Sequence, residues 1–109
     1  FYVNWFRKAA DGRWLWPGYG ENSRVLAWMC ERLEGKASAR PTPIGLLPEE
    51  SDLDLRGLDL PAENLHELLR VDDDAWRAEL SDIERHFARF GERLPARLRQ
   101  QLQNLRARL

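Results

Sequence analysis

The chain has 109 residues, 43% hydrophobic and 32% charged, which excludes the disordered class and predicts one domain at most. Its net charge of -1 gives no overall field that would attract nucleic acid or an anionic membrane. The single Cys30 excludes an internal disulfide and fits a reducing compartment, so we expect a cytoplasmic protein. No apolar run is long enough to cross a bilayer, and no signal-peptide pattern is present.

The first sixteen residues predict a small N-terminal β-hairpin. The opening run FYVNWF is rich in β-branched and aromatic residues, which favour strands. Asp11-Gly12 supplies the left-handed geometry of a hairpin turn, and RWLW is the expected partner strand, ended by Pro17-Gly18. The chain starts inside this first strand, so we expect a piece of a longer polypeptide.

A helix is predicted to begin at Glu21 and to close at Glu34-Gly35, because glycine is a common helix stop. Its apolar residues recur at helical spacing and predict one buried face, made of Val25, Leu26, Met29, Cys30 and Leu33.

Residues 36–60 hold three of the six prolines and no sustained helical period, so they are predicted to form a long extended connection. Leucines alternate near its end, at Leu53 and Leu55 and again at Leu58 and Leu60. Two arrangements are open. The connection lies against surface outside this chain, or it lies on the chain's own helices as a strap.

Residues 61–109 predict a helical tail. Pro61 suits a first helical position, the acidic run 72–74 opens a second helix that ends at Gly91, and Pro95 starts a third. The apolar faces of the last two helices are Trp76, Leu80, Ile83, Phe87 and Phe90, and then Leu98, Leu102, Leu105 and Leu109. The fold class is therefore mainly α with a small N-terminal β-hairpin, arranged as a recognition segment (1–35), a connection (36–60) and a tail (61–109).

The most informative segment is 1–24, which places seven aromatic side chains beside glycine, proline and amide residues. Rings separated by a turn can form two walls around a flat base, and each stack contributes about 1–3 kcal/mol. Asn22 carries a donor and an acceptor for a base edge, and Gly18 and Gly20 let the backbone around Tyr19 approach a ligand. The competing interpretation is that these rings are the core of a hairpin packed on the helix.

The motifs VNWFRK, WPGYGENSRVLAWM, LEGKAS and TPIGLLP, in this order, resemble the C-terminal part of GTP-dependent phosphoenolpyruvate carboxykinases. The resemblance implies a piece of an α/β nucleotide-binding domain that contains the guanine pocket. It implies that Phe6 and Tyr19 sandwich guanine, that Trp14 closes the pocket edge with Trp5 beside it, and that Asn22 hydrogen-bonds the base. Trp14 and Tyr19 stand where many members of the family have phenylalanine.

The family's reaction converts oxaloacetate and GTP into phosphoenolpyruvate, GDP and carbon dioxide, a step of gluconeogenesis. It uses Mn²⁺, with Mg²⁺ on the nucleotide, together with a phosphate-binding loop and a mobile lid. In the family the Mn²⁺ ligands are Lys, His and Asp, and neither that ligand set nor the phosphate-binding loop nor the lid is found among these motifs. The resemblance therefore implies no catalytic residue and no metal ligand in the chain, and no activity from it alone. Oxaloacetate and phosphoenolpyruvate would contact segments outside it, and neither nucleic acid nor membrane is expected as a partner.

A second hypothesis is a freestanding helical interaction or oligomerisation module whose aromatic hairpin binds a protein partner. Exposed aromatic and leucine faces could also make the chain self-associate. His66 and His86 have no second ligand at helical spacing, which favours structural or solvent-facing roles. The arginines of the last helix are interspersed around it, as on a solvated face. Arg24 is left with two roles, a contact to phosphate or an ion pair with Glu21.

Overall fold

The computed structural model describes residues 1–109, and its regular structure is mainly helical. The helices are α1 (Asn22–Leu33), α2 (Ala62–Leu69), α3 (Asp73–Ala88) and α4 (Ala96–Arg108). Strands β1 (Arg40–Thr42) and β2 (Gly45–Leu47) pair as a two-stranded hairpin. Short 3-10 turns cover Tyr19–Glu21, Glu50–Asp52 and Gly91–Arg93. The chain divides into two compact units, Phe1–Thr42 with Leu46–Arg70, and Pro43–Gly45 with Val71–Leu109.

The predicted strands at the N-terminus are wrong, and the small hairpin lies at β1–β2 instead. Residues 1–16 form only one isolated antiparallel bridge, between Lys8 and Trp14. Asn4 Oδ1 accepts a hydrogen bond from the Phe6 backbone N–H at 3.0 Å, and this local side-chain turn competes with an extended strand. The predicted turn is present, since Gly12 has a φ of 84°, but only the pair Lys8 and Trp14 is bridged across it, which is too little for two paired strands.

Helix α1 begins and ends close to the predicted residues, and it closes at Gly35 with a φ of 72°. Its buried face differs from the prediction. Trp28 is 5% exposed, whereas Leu26 is 52% and Leu33 is 78% exposed, and Cys30 is exposed as well. The indole has the larger apolar surface, and its Nε1 donates to Ser38 O at 3.2 Å, so the helix turns this side inward.

Leucines of the connection 36–60 pack on the chain's own helices, as in the strap arrangement. Trp28, Leu53 and Leu65 form the buried core of the first unit, and Leu55 and Leu60 pack against it. The connection is not structureless, because it contains β1, β2 and one 3-10 turn. It therefore fills the space between α1 and α2 with its leucines.

The three tail helices are confirmed, with small shifts at their ends. Pro61 and Pro95 are N-cap residues, one position before the first helical residue. Asp72 Oδ1 accepts from Ala75 N at 2.9 Å and caps α3, as the acidic run predicts. Helix α3 ends at Ala88, three residues before Gly91. The second unit buries Leu80 and Leu94, while Phe90 and Leu98 of the predicted faces are 43% and 44% exposed.

The division into recognition, connection and tail segments is one of function and stays a prediction. The sequence located the helix ends within about three residues, but it did not identify which apolar faces are buried within the chain.

Candidate functional site

The aromatic turn is attached to the C-terminal end of α2 by Arg7. Its Nη1 donates to Leu68 O at 3.3 Å and to Arg70 O at 3.1 Å, and its Nη2 donates to Glu67 Oε1 at 2.9 Å. The last carbonyls of a helix lack intrahelical donors and carry partial negative charge, so a guanidinium is well suited there. The hydrogen bond from Arg70, its charge and that of Arg7 hold the pKa of Glu67 below its usual value. Sequence reasoning missed Arg7, which no local pattern marks.

The tip of the turn is fixed at a second point. Arg13 Nη1 approaches Asn64 Oδ1 at 3.5 Å, and Asn64 is buried on α2. Asp11 Oδ1 accepts from the backbone N–H of Arg13 at 3.0 Å, which lowers the pKa of the Asp11 carboxyl. The turn that carries the aromatic residues is therefore held on one helix at both ends.

Two of the predicted pocket rings meet in the structure. Phe6 and Trp14 pack edge to face, with ring centroids 5.9 Å apart and planes inclined by 68°. The Nζ of Lys8 lies 4.2 Å from the Trp14 ring centroid, in a cation–π contact. Phe6 is 72% and Trp14 is 52% exposed, so both rings keep surface on which a flat ligand could stack.

Two hydrogen bonds hold Asn22 at the first position of α1. Trp16 Nε1 donates to Asn22 Oδ1 at 2.9 Å, and the backbone N–H of Asn22 donates to Tyr19 O. Trp16 itself is buried, at 6% exposure. The amide Nδ2 of Asn22 has no hydrogen-bond partner among the residues described, so it remains able to donate to a ligand.

The other two predicted residues are not part of this cluster of rings. Tyr19 is 93% exposed and makes no aromatic contact, and Trp5 is half-buried and also makes none. Phe6 and Tyr19 are therefore not stacked on each other, and the sandwich they would form around a base stays a prediction. Gly18 has a φ of 125°, a backbone conformation that residues other than glycine rarely adopt, and it lies directly before Tyr19.

Arg24 joins α1 to the connection. Its Nε donates to Glu21 Oε2 at 2.6 Å, and its Nη1 donates to the backbone oxygens of Asp54 at 2.6 Å and Arg56 at 3.1 Å. The contact with Glu21 corresponds to the ion-pair alternative for Arg24, and the two backbone oxygens engage its Nη1. A side-chain hydrogen bond from Arg56 holds the pKa of Asp54 well below its usual range.

The second unit contains an open groove of about 420 Å³ between α3 and α4, and none of the predicted site residues lines it. Both arginines that line the groove have partners, since Arg99 donates to Gly91 O at 2.8 Å and Arg106 pairs with Glu84. His86 packs its ring against Phe90 at 5.3 Å. This groove therefore has no free cationic group positioned for a ligand.

No group of three or more His, Cys, Asp or Glu side chains is arranged to hold a metal ion. His66 Nδ1 contacts Glu50 Oε1 at 3.1 Å, on the surface of the first unit. The residues present therefore do not fit the Mn²⁺ that the resemblance implies for the larger enzyme.

None of the helices has the length and apolar character needed to span a bilayer.

Comparison with known proteins agrees with the resemblance. The family model described as the phosphoenolpyruvate carboxykinase C-terminal P-loop domain matches residues 1–108. The chain is 51% identical to phosphoenolpyruvate carboxykinase [GTP] of Paenarthrobacter aurescens (strain TC1) and 50% identical to that of Treponema pallidum (strain Nichols). It is 51% identical to the same protein of Neocallimastix frontalis. Each match covers all of this chain and 18% of the relative's length. The chain belongs to the phosphoenolpyruvate carboxykinase C-terminal P-loop domain family.

Proposed function

We propose that this chain is the guanine-recognition portion of a GTP-dependent phosphoenolpyruvate carboxykinase. The protein that carries it would convert oxaloacetate and GTP into phosphoenolpyruvate, GDP and carbon dioxide. The family match over residues 1–108 supports this function over a freestanding interaction module. Residues 1–35 would recognise the base, residues 36–60 would support them, and residues 61–109 would form the tail.

The observation that carries the proposal is a set of exposed rings in the same segment as an amide donor without a partner. Phe6, Trp14 and Tyr19 present ring surface to solvent within the segment that ends at Asn22. A soluble domain gains nothing from exposing such rings, whereas each base–aromatic stack contributes about 1–3 kcal/mol. We assign Phe6 and Tyr19 to the two faces of guanine, Trp14 with Trp5 to the edge of the pocket, and Asn22 to the base edge.

The chemistry of phosphoryl transfer would belong to other parts of the larger protein. Such a transfer needs positioned phosphates, metal ions and cationic groups on the transferring group. Mn²⁺, and Mg²⁺ bound with the nucleotide, would be held by residues outside this chain. A cytoplasmic location and a place in gluconeogenesis go with this assignment. The chain's own part would be to select and orient the nucleotide.

The test removes one wall of the pocket in the full-length protein. Phe6→Ala should weaken GDP binding by about 5- to 150-fold, the equivalent of one lost base stack. Tyr2→Ala is the matched control, because Tyr2 is an aromatic residue of the same segment that is 94% exposed and has no assigned role. Equal GDP dissociation constants for the two variants, measured by calorimetry, would contradict the proposed site.

A further inference from the structure

Trp16 is buried beneath the start of α1, and the only hydrogen bond of its side chain goes to Asn22. The indole Nε1–H is a donor and has no acceptor function, so the atom of Asn22 that faces it must be the amide oxygen. The distance of 2.9 Å from Nε1 to Oδ1 is that of a well-formed hydrogen bond. Because Trp16 is only 6% exposed, its ring has little freedom to turn away. The orientation of the Asn22 amide is therefore set by the indole.

This orientation decides which chemical group Asn22 can offer to a ligand. With Oδ1 engaged by Trp16, the side chain presents the Nδ2 donor. Guanine carries a carbonyl oxygen, an acceptor, at position 6, whereas adenine carries an amino group, a donor, at the same place. A fixed N–H donor can hydrogen-bond to the carbonyl oxygen of guanine but not to the amino group of adenine. An amide free to rotate by 180° could present its oxygen and accept from adenine.

We propose that Trp16 is a positioning residue that makes Asn22 select 6-oxopurines over adenine. The inference rests on the proposed function, because it takes Asn22 as the group that meets the base edge. Trp16 itself does not contact the base. It acts by holding the amide in one of its two orientations, so its removal should change the choice of base more than the strength of stacking.

The experiment measures dissociation constants of GDP, inosine diphosphate and ADP with the full-length protein and its Trp16→Phe variant. Phenylalanine keeps a large buried ring and removes the N–H donor. The preference for GDP over ADP should fall about tenfold, in line with the loss of one oriented hydrogen bond. The preference for inosine diphosphate over ADP should fall equally, because both 6-oxopurines carry the same acceptor. The ratio between GDP and inosine diphosphate should not change.

Trp28→Phe is the matched control for a purely structural effect. Trp28 is equally buried, at 5% exposure, and its Nε1 donates to a backbone oxygen, that of Ser38. Both substitutions remove a buried indole hydrogen bond, but only the one at Trp16 should alter base preference. In an Asn22→Ala background, Trp16→Phe should cause no further change in the GDP-to-ADP ratio, since the group that it orients is gone.

Asn22→Asp keeps the argument testable if Trp16→Phe fails to fold. The carboxylate still accepts from Trp16, but its second oxygen is an acceptor, so the preference should move toward ADP. A retained wild-type preference in Asn22→Asp would overturn the assigned orientation. If Asn22→Ala removes the preference and Trp16→Phe does not, the role of Trp16 is refuted while the proposed function stands. If Phe6→Ala and Asn22→Ala both leave nucleotide binding unchanged, the proposed function itself fails.

Discussion

Replacement of Arg7 by methionine tests whether the aromatic turn is held on α2. Methionine keeps an unbranched apolar stem and removes the guanidinium, which donates to Leu68 O, Arg70 O and Glu67 Oε1. If they were fully buried, such charge-assisted hydrogen bonds would contribute about 1.5–3 kcal/mol each to the free energy of unfolding. The Arg7 and Glu67 side chains are 29% and 36% exposed, so water can replace part of each bond. We therefore expect a loss of about 1–2 kcal/mol in the free energy of unfolding.

Urea denaturation followed by tryptophan fluorescence measures this loss. Arg56→Met is the matched control, because the Arg56 side chain is 90% exposed and pairs only with neighbouring Asp54. Its substitution should leave the free energy of unfolding nearly unchanged. If Arg7→Met and Arg56→Met have the same stability, the contacts of Arg7 with the end of α2 do not hold the turn.

Two further predictions concern the support of the site. Leu53→Ala should lower the free energy of unfolding by about 2–4 kcal/mol, because it opens a cavity in the core of the first unit. Leu46→Ala, at a site that is 56% exposed, should leave the urea midpoint nearly unchanged, and an equal loss in both variants would refute the packed strap. Glu67 has a lowered pKa, chiefly through Arg70, so it stabilises the fold above its ordinary pKa of 4.5 and loses this contribution as the pH falls through the lower folded value. Glu67→Gln should therefore flatten the decline of stability below pH 4.5, and an unchanged acid profile would argue against the arginine contacts.

The sequence predicted the helices well because their signals are local. Prolines, the acidic run before α3 and the glycine after α1 act on neighbouring backbone, and each lies at or near a helix end in the structure. The N-terminal strands failed because strand formation depends on continuous pairing with a partner, and only Lys8 and Trp14 are bridged there. The buried side of α1 was missed for a related reason. Trp28 is inward because Leu53 and Leu65 come to it from distant parts of the chain.

For the candidate site, the sequence predicted which residues to consider but not their contacts. The aromatic residues and Asn22 could be named from the motif, but not the way in which they are held. Arg7 reaches residues 60 and more positions away, and no periodicity connects them. The bond from Trp16 to Asn22 spans six residues across a turn whose geometry depends on the left-handed Gly18. Such contacts require the folded backbone, and they decide what the named residues can do.

The central claim is that this chain selects the nucleotide base of the larger enzyme. It is tested most directly by the ratio of the ADP and GDP dissociation constants of the full-length protein, compared with the same ratio for Asn22→Ala. We predict a strong preference for GDP that falls at least about tenfold in the variant, because the donor facing the base edge is lost. An unchanged ratio would place base selection outside this chain and contradict the account.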